Sequence, residues 1–327
     1  MHRLSRLRAL TSLLPMGAAS VLLGSCAPRL QAQDWVRELY GPQSELRTQL
    51  DADLAELAAP EREGRLPASE ADVSTRNWLE SRFAEIGLAT AGAGDTYGQP
   101  FITEAEQSTA NVLGRLQGTD DSLANQIIVV SAHHDHLGPG FPGANDNASG
   151  IAALLSIAQI LAKSPLKRPV LFALLGSEES GFEGAYFATS NADGLDVEQV
   201  VYNVNLDMVG SLSMRGRLWA FGSHRDTLGR TLIDEATQDW PNGVVRRGFG
   251  SRLSDNVAFC ERGIPYVFLW TPDPDCYHGA CDTFERLDRD GLAAVVQVSV
   301  QVVRALGDAN DNLAAGVLDK DVCKRAP

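Results

Sequence analysis

Three of the six histidines in this chain lie close together, at His133, His134 and His136, with Asp135 among them. They follow residues 127–130, a continuously apolar and β-branched run that is typical of a parallel strand covered on both faces. Imidazole nitrogens ligate divalent metals, and a nearby carboxylate can fix the orientation of the ring. If the chain stays extended here, side chains alternate, so His133 and Asp135 share one side while His134 and His136 share the other. A metal site is one hypothesis for this segment, and a polar loop with solvated histidines is the other.

Three later predicted strands also deliver, at or just beyond their carboxyl ends, residues that can bind a cation or move a proton: Glu178 and Glu179, then Asp207, then Tyr277 and His278. The carboxyl ends of parallel strands meet at one edge of a sheet, where open α/β sheets build their sites. Adjacent carboxylates repel each other unless one binds a cation and the other stays free for proton transfer. Asp146 precedes an amphipathic helix, which it could simply cap. Mixed nitrogen and oxygen ligands without a thiolate suit zinc, or another borderline divalent ion, in a catalytic site.

Five motifs in this order resemble the di-zinc aminopeptidases, a family related to glutamate carboxypeptidase and the transferrin receptor. They are H-x-D at His133 and Asp135, G-A-N-D-N-A-S-G at 143–150, E-E-x-G at 178–181, N-x-D-M-V-G at 205–210 and Y-H-x-x-x-D-T at 277–283. The resemblance covers residues 110 to 305. It departs at 254–259, which read S-D-N-V-A-F where the family often has S-D-H-x-P-F, and residues 63–67 only loosely match the family's G-R-x-x-G region.

The resemblance implies two Zn²⁺ ions held by five residues. His133 and Asp207 would bind one ion, Glu179 and His278 would bind the other, and Asp146 would bridge them. In the family, the peptide bond that follows the bridging aspartate is cis.

Three catalytic roles also follow from the resemblance. Glu178 would be the general base, taking a proton from water and passing it to the leaving amine. Asp135 would orient the ring of His133 without binding the metal itself, and Tyr277 would help to stabilise the developing oxyanion. The implied activity is hydrolysis of peptide bonds with release of N-terminal residues, so the expected partners are peptides or small proteins.

Two alternatives stay open on the same fold. A glutaminyl cyclase would use one zinc, and a binding protein that lost the chemistry, as the transferrin receptor did, would lack ligands. The complete ligand set and the intact D-N-A-S-G run favour the di-zinc peptidase. Cleavage at the amino end is expected, although relatives cleave at the carboxyl end.

Alternating strands and helices from residue 111 predict a three-layer α/β fold, with a mainly parallel central sheet flanked by helices on both faces. Strands are predicted near 111–116, 127–132, 170–175, 201–206, 217–221 and 265–270, and helices near 149–163, 181–190, 225–238, 254–262 and 290–307. Leucine spacing over residues 46–57 and an apolar pattern over 73–86 predict two earlier helices. The predicted organisation is a signal segment (1–25), an N-terminal helical segment packed on the core (26–109) and a zinc peptidase catalytic domain (110–327).

The first 25 residues combine a basic start with an apolar stretch that is short for a membrane span, which predicts a secretory signal. Residues 23–26, Leu-Gly-Ser-Cys, resemble the bacterial lipoprotein processing box, in which the cysteine is acylated. We therefore expect an exported lipoprotein of the bacterial cell envelope, facing the periplasm or exterior, that contacts the membrane only through a lipid on Cys26. An ordinary signal peptide with a chance cysteine is the alternative.

The chain is acidic, with 42 Asp and Glu against 28 Lys and Arg and a formal charge of −14. Such a charge argues against nucleic acid or an anionic membrane surface as a partner and favours cations. Four cysteines follow Cys26, an even number that suits disulfides in an oxidising compartment. Cys276 and Cys281 flank His278 closely enough to predict a local disulfide, and the remaining connectivity is left open.

Overall fold

The computed structural model describes residues 44–190, 195–224, 227–249, 252–313 and 318–324. The predicted signal segment and Cys26 lie outside the described residues. The described chain begins with two helices, α1 (Glu45–Leu57) and α2 (Glu70–Ile86), close to where the apolar spacing predicted them. A serine side chain caps the start of each helix, and Gly87 ends α2 in the left-handed conformation.

Nine strands of the described chain form one sheet. They are β1 (Ala89–Thr90), β2 (Gly98–Ile102), β3 (Ser108–Leu116), β4 (Ile127–His133), β5 (Val170–Leu175), β6 (Val200–Leu206), β7 (Arg217–Phe221), β8 (Gly243–Arg246) and β9 (Tyr266–Trp270). Their order is β1-β3-β5-β4-β6-β9-β7-β8, with β2 paired to β3. The central strands β5, β4, β6 and β9 are parallel to one another. Toward the edges, β3 and β7 run antiparallel to β5 and β9, so the sheet as a whole is mixed.

Helices cover both faces of this sheet. After α2 the described helices are α3 (Gly150–Ala162), α4 (Glu183–Ala188), α5 (Leu212–Arg215), α6 (Leu228–Ala236), α7 (Asn256–Glu261), α8 (Arg289–Asp308) and α9 (Asp321–Lys324). Ile127 and Val129 of β4 share a core cluster with residues of α4 and α7. Because side chains alternate along a strand, Ile128 and Val130 face the other layer, which contains α3. The predicted three-layer α/β fold is confirmed.

Burial explains why β5 reads as an unbroken apolar run and why β4 begins as one. Every residue of β4, β5 and β6 is buried, as parallel strands covered by helices require. Among the described helices only α8 is long and apolar enough to cross a membrane, and most of it is buried against the rest of the fold. Its apolar character is therefore that of a core helix.

Three short strands, β1, β2 and β8, escaped the sequence analysis. Two of them, β1 and β2, fall within residues 26–109, which were predicted to be helical, and both pair with β3. This segment is therefore not helical throughout, because it also supplies strands to the sheet edge. The boundary after residue 109 stays a prediction.

Two disulfides tie down the last part of the chain. Cys276 pairs with Cys281, which confirms the predicted local bridge. Cys260 in α7 pairs with Cys323 in α9, a connectivity that the sequence had left open. The first bridge closes a small loop around His278, so it constrains the position of that residue.

Candidate active site

The carboxyl ends of β4 and β6 bring His133 and Asp207 together. The Nε2 atom of His133 lies 3.3 Å from Oδ1 of Asp207 and 3.3 Å from Oδ1 of Asp146. The Nδ1 atom of His133 lies 3.2 Å from the backbone carbonyl oxygen of Asp135. A carbonyl only accepts, so Nδ1 is the donor in this hydrogen bond. The lone pair of Nε2 in a neutral ring then faces two carboxylates, an arrangement that a bound cation would satisfy.

A second group of ligand atoms surrounds His278. Its Nε2 atom lies 3.0 Å from Oε2 of Glu179 and 3.3 Å from Oδ2 of Asp146. The same atom is buried and has no well-aligned hydrogen-bond partner among the described residues. Asp146 thus turns Oδ1 toward His133 and Oδ2 toward His278. The structure therefore brings all five predicted ligands together, with Asp146 between the two groups.

The loop that carries Asp146, Ala144–Ser149, is held by neighbouring polar side chains. The carboxylate of Asp282 accepts two backbone hydrogen bonds, of 2.8 and 3.0 Å, the second from the N–H of Asp146 itself. The side chain of Asn147 accepts two further backbone N–H groups and donates to the backbone carbonyl of Leu206 at the end of β6. The peptide bond between Asp146 and Asn147 is cis, as the resemblance implies. The asparagine of the motif and Asp282 therefore fix the loop.

Arg65 supports the same loop from the opposite direction. Its guanidinium is fully buried and donates to the backbone carbonyls of Leu57, His134, Pro142 and Gly143, at 2.7 to 2.9 Å. Burial lowers its pKa to about 10, so it stays charged at neutral pH beside an acidic cluster. The sequence analysis gave this segment only a loose match, yet it links the end of α1 to the loop that presents Asp146.

Asp135 has a wider structural role than the one predicted. Its Oδ1 atom lies 3.8 Å from Nδ1 of His133, a long contact that is consistent with support from behind. The two carboxylate oxygens also accept hydrogen bonds from the backbone N–H groups of Glu178 and Glu179, at 2.9 and 3.2 Å. Asp135 therefore sets the position of both adjacent glutamates relative to β4.

Left-handed backbone recurs where the predicted site residues leave the sheet. Ser177, Met208 and His278 have φ values of 60°, 51° and 53°, which non-glycine residues adopt at a cost. Ser177 precedes Glu178, and Met208 follows Asp207. Each sharp bend lies within one residue of a predicted site residue, so local backbone strain accompanies the placement of these side chains.

Glu178 lies at the edge of the first group and is only 8 % exposed. Burial, together with the nearby carboxylates of Asp207 and Asp255, raises its pKa well above the usual value, although His133 opposes the shift. A raised pKa suits a residue that takes up and returns a proton. Its carboxylate also lies near enough to His133 and Asp207 to share a metal ion with them. Geometry alone therefore permits two roles for Glu178, and the assignment as general base stays a prediction.

His136 is a site residue that the sequence analysis did not select. Its Nδ1 atom lies 2.7 Å from Oε1 of Glu179 and 4.0 Å from Oδ2 of Asp146. His134 turns away, donating from Nε2 to the backbone carbonyl of Ala110. The predicted alternation fails after His133 because β4 ends there, so His136 is free to turn toward the second group. The close spacing of the three histidines was the sequence feature that could have pointed to His136.

The donor set fits zinc. Two imidazoles and three carboxylates form the predicted ligand set, and the described residues at the site include no thiolate, which is typical of catalytic rather than structural zinc. The Nε2 atoms of both ligand histidines point at carboxylate oxygens that cannot donate to them. In a metal-free protein this arrangement needs protons, and zinc would replace them.

A cavity of about 300 Å³ opens beside the ligand groups. Its lining beyond the predicted site residues is largely apolar, consisting of Met208, Leu253, Phe268, Trp270, Pro272, Asp273 and Pro274. Tyr277 also lines the cavity, stacks on the ring of His278 with 3.9 Å between centroids, and is 56 % exposed. Tyr277 therefore borders the space that a bound molecule would occupy, and its role toward an oxyanion stays a prediction.

The metal-free protein should lose stability as the pH rises. Burial raises the pKa of Asp255 from 3.8 to about 8, and its carboxylate oxygens have no hydrogen-bond partner among the described residues. Burial raises the pKa of Glu178 in the same direction. In the unfolded chain both groups ionise near their ordinary pKa, whereas the folded protein holds their protons to higher pH. Their contribution to the free energy of unfolding is therefore fully present below the unfolded pKa. It is lost as the pH rises through the folded pKa.

We therefore expect the melting temperature of chelator-treated protein to fall between about pH 5 and about pH 8. Added zinc should restore it most strongly at the alkaline end, because ligands must lose protons to bind metal. Scanning fluorimetry across this range, with and without zinc, measures both effects. A metal-free melting temperature that rises over the same range would contradict this view of the acidic cluster.

The fold and the site together define a class of three-layer α/β proteins in which histidine and carboxylate side chains that could bind a metal ion gather at the carboxyl edge of a mixed sheet. The sequence pattern of Peptidase family M28 matches residues 111–303, and the chain belongs to this family.

Relatives that the chain matches include proteins named as aminopeptidases. The chain is 29 % identical over 234 residues to aminopeptidase YwaD of Bacillus subtilis, covering 64 % of this chain and 49 % of that protein. It is 32 % identical over 173 residues to leucine aminopeptidase 2 of Trichophyton rubrum, covering 50 % of this chain and 34 % of that protein. The matched region thus spans about half or less of the length of these relatives.

Solved structures share the fold at lower identity. The zinc aminopeptidase BSAP from Bacillus subtilis superposes with a TM-score of 0.67 at 16 % identity, over 84 % of this chain and 98 % of that one. Glutaminyl cyclase from Porphyromonas gingivalis superposes with a TM-score of 0.67 at 18 % identity, over 80 % of this chain and all of that one. At these identities the likeness concerns the fold alone.

Proposed function

We propose that this protein is a di-zinc aminopeptidase that removes N-terminal residues from peptides. The observation that carries the proposal is the position of Asp146, whose two carboxylate oxygens face His133 and His278, each 3.3 Å away. One carboxylate between two ligand groups suits a pair of ions better than a single ion. His133 and Asp207 would hold one zinc, and Glu179 and His278 the other.

The protein's own side chains would perform the proton transfers. When bound, zinc would supply Lewis acidity, which polarises the scissile carbonyl and makes water acidic enough to react at neutral pH. The carboxylate of Glu178 would accept the proton of the attacking water and later donate it to the nitrogen of the leaving amine. Asp135 would keep Glu178 in place through its backbone N–H, and the hydroxyl of Tyr277 would donate to the developing oxyanion.

Charge favours cleavage at the amino end. The described residues that line the cavity include four carboxylates of the site but neither lysine nor arginine. The Asp273 carboxylate at the cavity edge is paired with Arg286 just outside it, at 2.6 and 3.0 Å, which leaves that guanidinium engaged. With both ions bound, Asp146, Glu179 and Asp207 would serve as ligands, so Glu178 is the site carboxylate left to face an N-terminal ammonium group. A C-terminal carboxylate would need a free lysine or arginine, and the described lining offers none. The apolar lining favours a large apolar side chain on the residue that is released.

A second candidate function is a single-zinc glutaminyl cyclase. The Porphyromonas glutaminyl cyclase has a similar fold, so the fold is compatible with this activity, while the complete set of five predicted ligands favours the peptidase. A cyclase would convert an N-terminal glutamine without shortening the peptide, so the two activities give products of different mass.

Hydrolysis of aminoacyl anilides tests the peptidase proposal. We expect zinc-loaded protein to release aniline from leucyl and phenylalanyl substrates, to act much more slowly on aspartyl substrates, and to leave N-acetyl-leucyl substrate intact. A chelator should abolish the activity, and zinc should restore it. Equal hydrolysis of free and acetylated substrates would contradict cleavage that depends on a free amino end.

We also propose that the protein is an exported lipoprotein anchored through Cys26. The basic start, the apolar stretch and the Leu-Gly-Ser-Cys box support this proposal. Mass spectrometry of detergent-extracted protein should find a diacylglyceryl group on an N-terminal Cys26. Replacement of Cys26 by alanine should abolish the modification, and an unmodified N-terminus elsewhere in the native protein would overturn the proposal.

A further inference from the structure

His136 is buried and makes a short polar contact with a predicted zinc ligand. Its Nδ1 atom lies 2.7 Å from Oε1 of Glu179, whereas its Nε2 atom is buried without a hydrogen-bond partner among the described residues. An ionised carboxylate only accepts, so the contact requires a proton on Nδ1. The distance is that of a charge-assisted hydrogen bond. His136 is thus a donor aimed at one oxygen of Glu179.

The same distance argues against His136 as a ligand in its own right. Two atoms that bind one tetrahedral zinc at about 2.0 Å lie about 3.3 Å apart. Nδ1 of His136 and Oε1 of Glu179 are 2.7 Å apart, a hydrogen-bond distance, whereas the contacts among the predicted ligands are 3.0 to 3.3 Å. Nδ1 of His136 is also 4.0 Å from Oδ2 of Asp146. By contrast, Oε2 of Glu179 lies 3.0 Å from Nε2 of His278. The two oxygens of Glu179 therefore face different partners.

We propose that His136 is a positioning residue that holds Glu179 so that only Oε2 is offered to the second zinc ion. This proposal rests on the proposed function, since it assigns Glu179 as a ligand. A carboxylate held by a donor has one orientation to present, whereas a free one rotates and can bind through either oxygen. Partners of this kind, which orient a ligand without touching the metal, typically change metal affinity by about 10- to 100-fold.

Two variants, His136→Asn and His136→Gln, both remove the imidazole ring but place an amide at different distances from the backbone. A difference between them therefore cannot come from loss of the ring alone. In His136→Asn the amide nitrogen takes nearly the place of Nδ1, whereas in His136→Gln it reaches nearly the place of Nε2. We expect His136→Asn to keep most of the affinity for the second zinc and His136→Gln to lose about 10- to 100-fold. The affinity of the first zinc should stay within a few-fold in both variants.

His134 supplies the matched control. It is equally buried in the same segment but donates to a backbone carbonyl away from the ligands. His134→Asn and His134→Gln should change thermal stability without separating the two zinc affinities. Competition titration with a chromophoric chelator measures each binding step, and the absorption spectrum of the Co²⁺-loaded protein reports on the ligands of each site.

Two results would overturn the inference. Equal second-site affinity in the His136→Asn, His136→Gln and unmodified proteins would remove any positioning role. A changed Co²⁺ spectrum with equal loss of affinity in both variants would mean that His136 is itself a ligand. Failure of the proposed function has a different signature, because unmodified protein would bind both ions and show the expected order of affinities yet cleave no peptide.

Discussion

Replacement of Glu178 by glutamine is expected to lower kcat by at least about 10²- to 10⁴-fold, the usual contribution of general acid–base catalysis. The variant should keep its fold and both zinc ions, because the amide has the same shape and the backbone N–H of Glu178 still donates to Asp135. KM should change little, since the substrate still meets the metals and the apolar cavity. Added zinc should not restore the activity.

The neighbouring substitution, Glu179→Gln, is the internal control for this result. It replaces an anionic ligand by a neutral amide beside His278, so it should weaken the second zinc site directly. Excess zinc should then recover part of the activity. Zinc content and kcat measured side by side for both variants distinguish the roles. If Glu178→Gln loses zinc while Glu179→Gln keeps it and stays active, the two roles are reversed, an outcome that the geometry around Glu178 permits.

Replacement of Asp146 by asparagine should have the second large effect. Its two oxygens face His133 and His278, so an amide in this place weakens both ligand groups at once. We expect the zinc content of purified protein to fall from two ions toward one or none. The activity should fall to near the level of chelator-treated protein. Elemental analysis and kcat/KM on the same samples measure both changes.

An exposed aspartate far from the site gives the control for Asp146→Asn. Asp121 lies in a surface turn, and Asp121→Asn removes the same charge without touching the cluster. It should keep two zinc ions and full activity. If Asp146→Asn also retains two tightly bound ions, a bridging role for this carboxylate is wrong.

The candidate ligands could be selected because most of them lie in short motifs at or beyond the end of a strand, although Asp146 lies in the loop before α3. His133 ends β4 and Asp207 follows β6, and parallel strands must present their carboxyl ends at one edge. The resemblance, which rests on the order of the motifs, then indicated Glu179 and His278 as the second group. The central strands β4 and β5 were equally visible, since their complete burial is accompanied by long apolar runs.

The residues that support the ligands could not be found in this way. Arg65 acts through contacts with segments up to 81 residues away, and its own segment only loosely matches the family pattern. Asp282 accepts a hydrogen bond from the backbone N–H of Asp146, which is 136 residues away in the sequence. The alternation rule misplaced His136 because the strand ends at His133. Short edge strands such as β1 depend on pairing with β3 rather than on a pattern of their own.

The central claim is that zinc-loaded protein shortens peptides from their amino end, and a mixed peptide pool tests it most directly. The pool should contain free, N-acetylated and N-terminal glutamine peptides, with products identified by mass after incubation with metal-loaded and chelator-treated protein. We predict successive loss of single N-terminal residues from free peptides, most rapidly where the residue is large and apolar, with acetylated peptides intact. Loss of C-terminal residues, internal cleavage, or loss of ammonia from the glutamine peptides without shortening would contradict it.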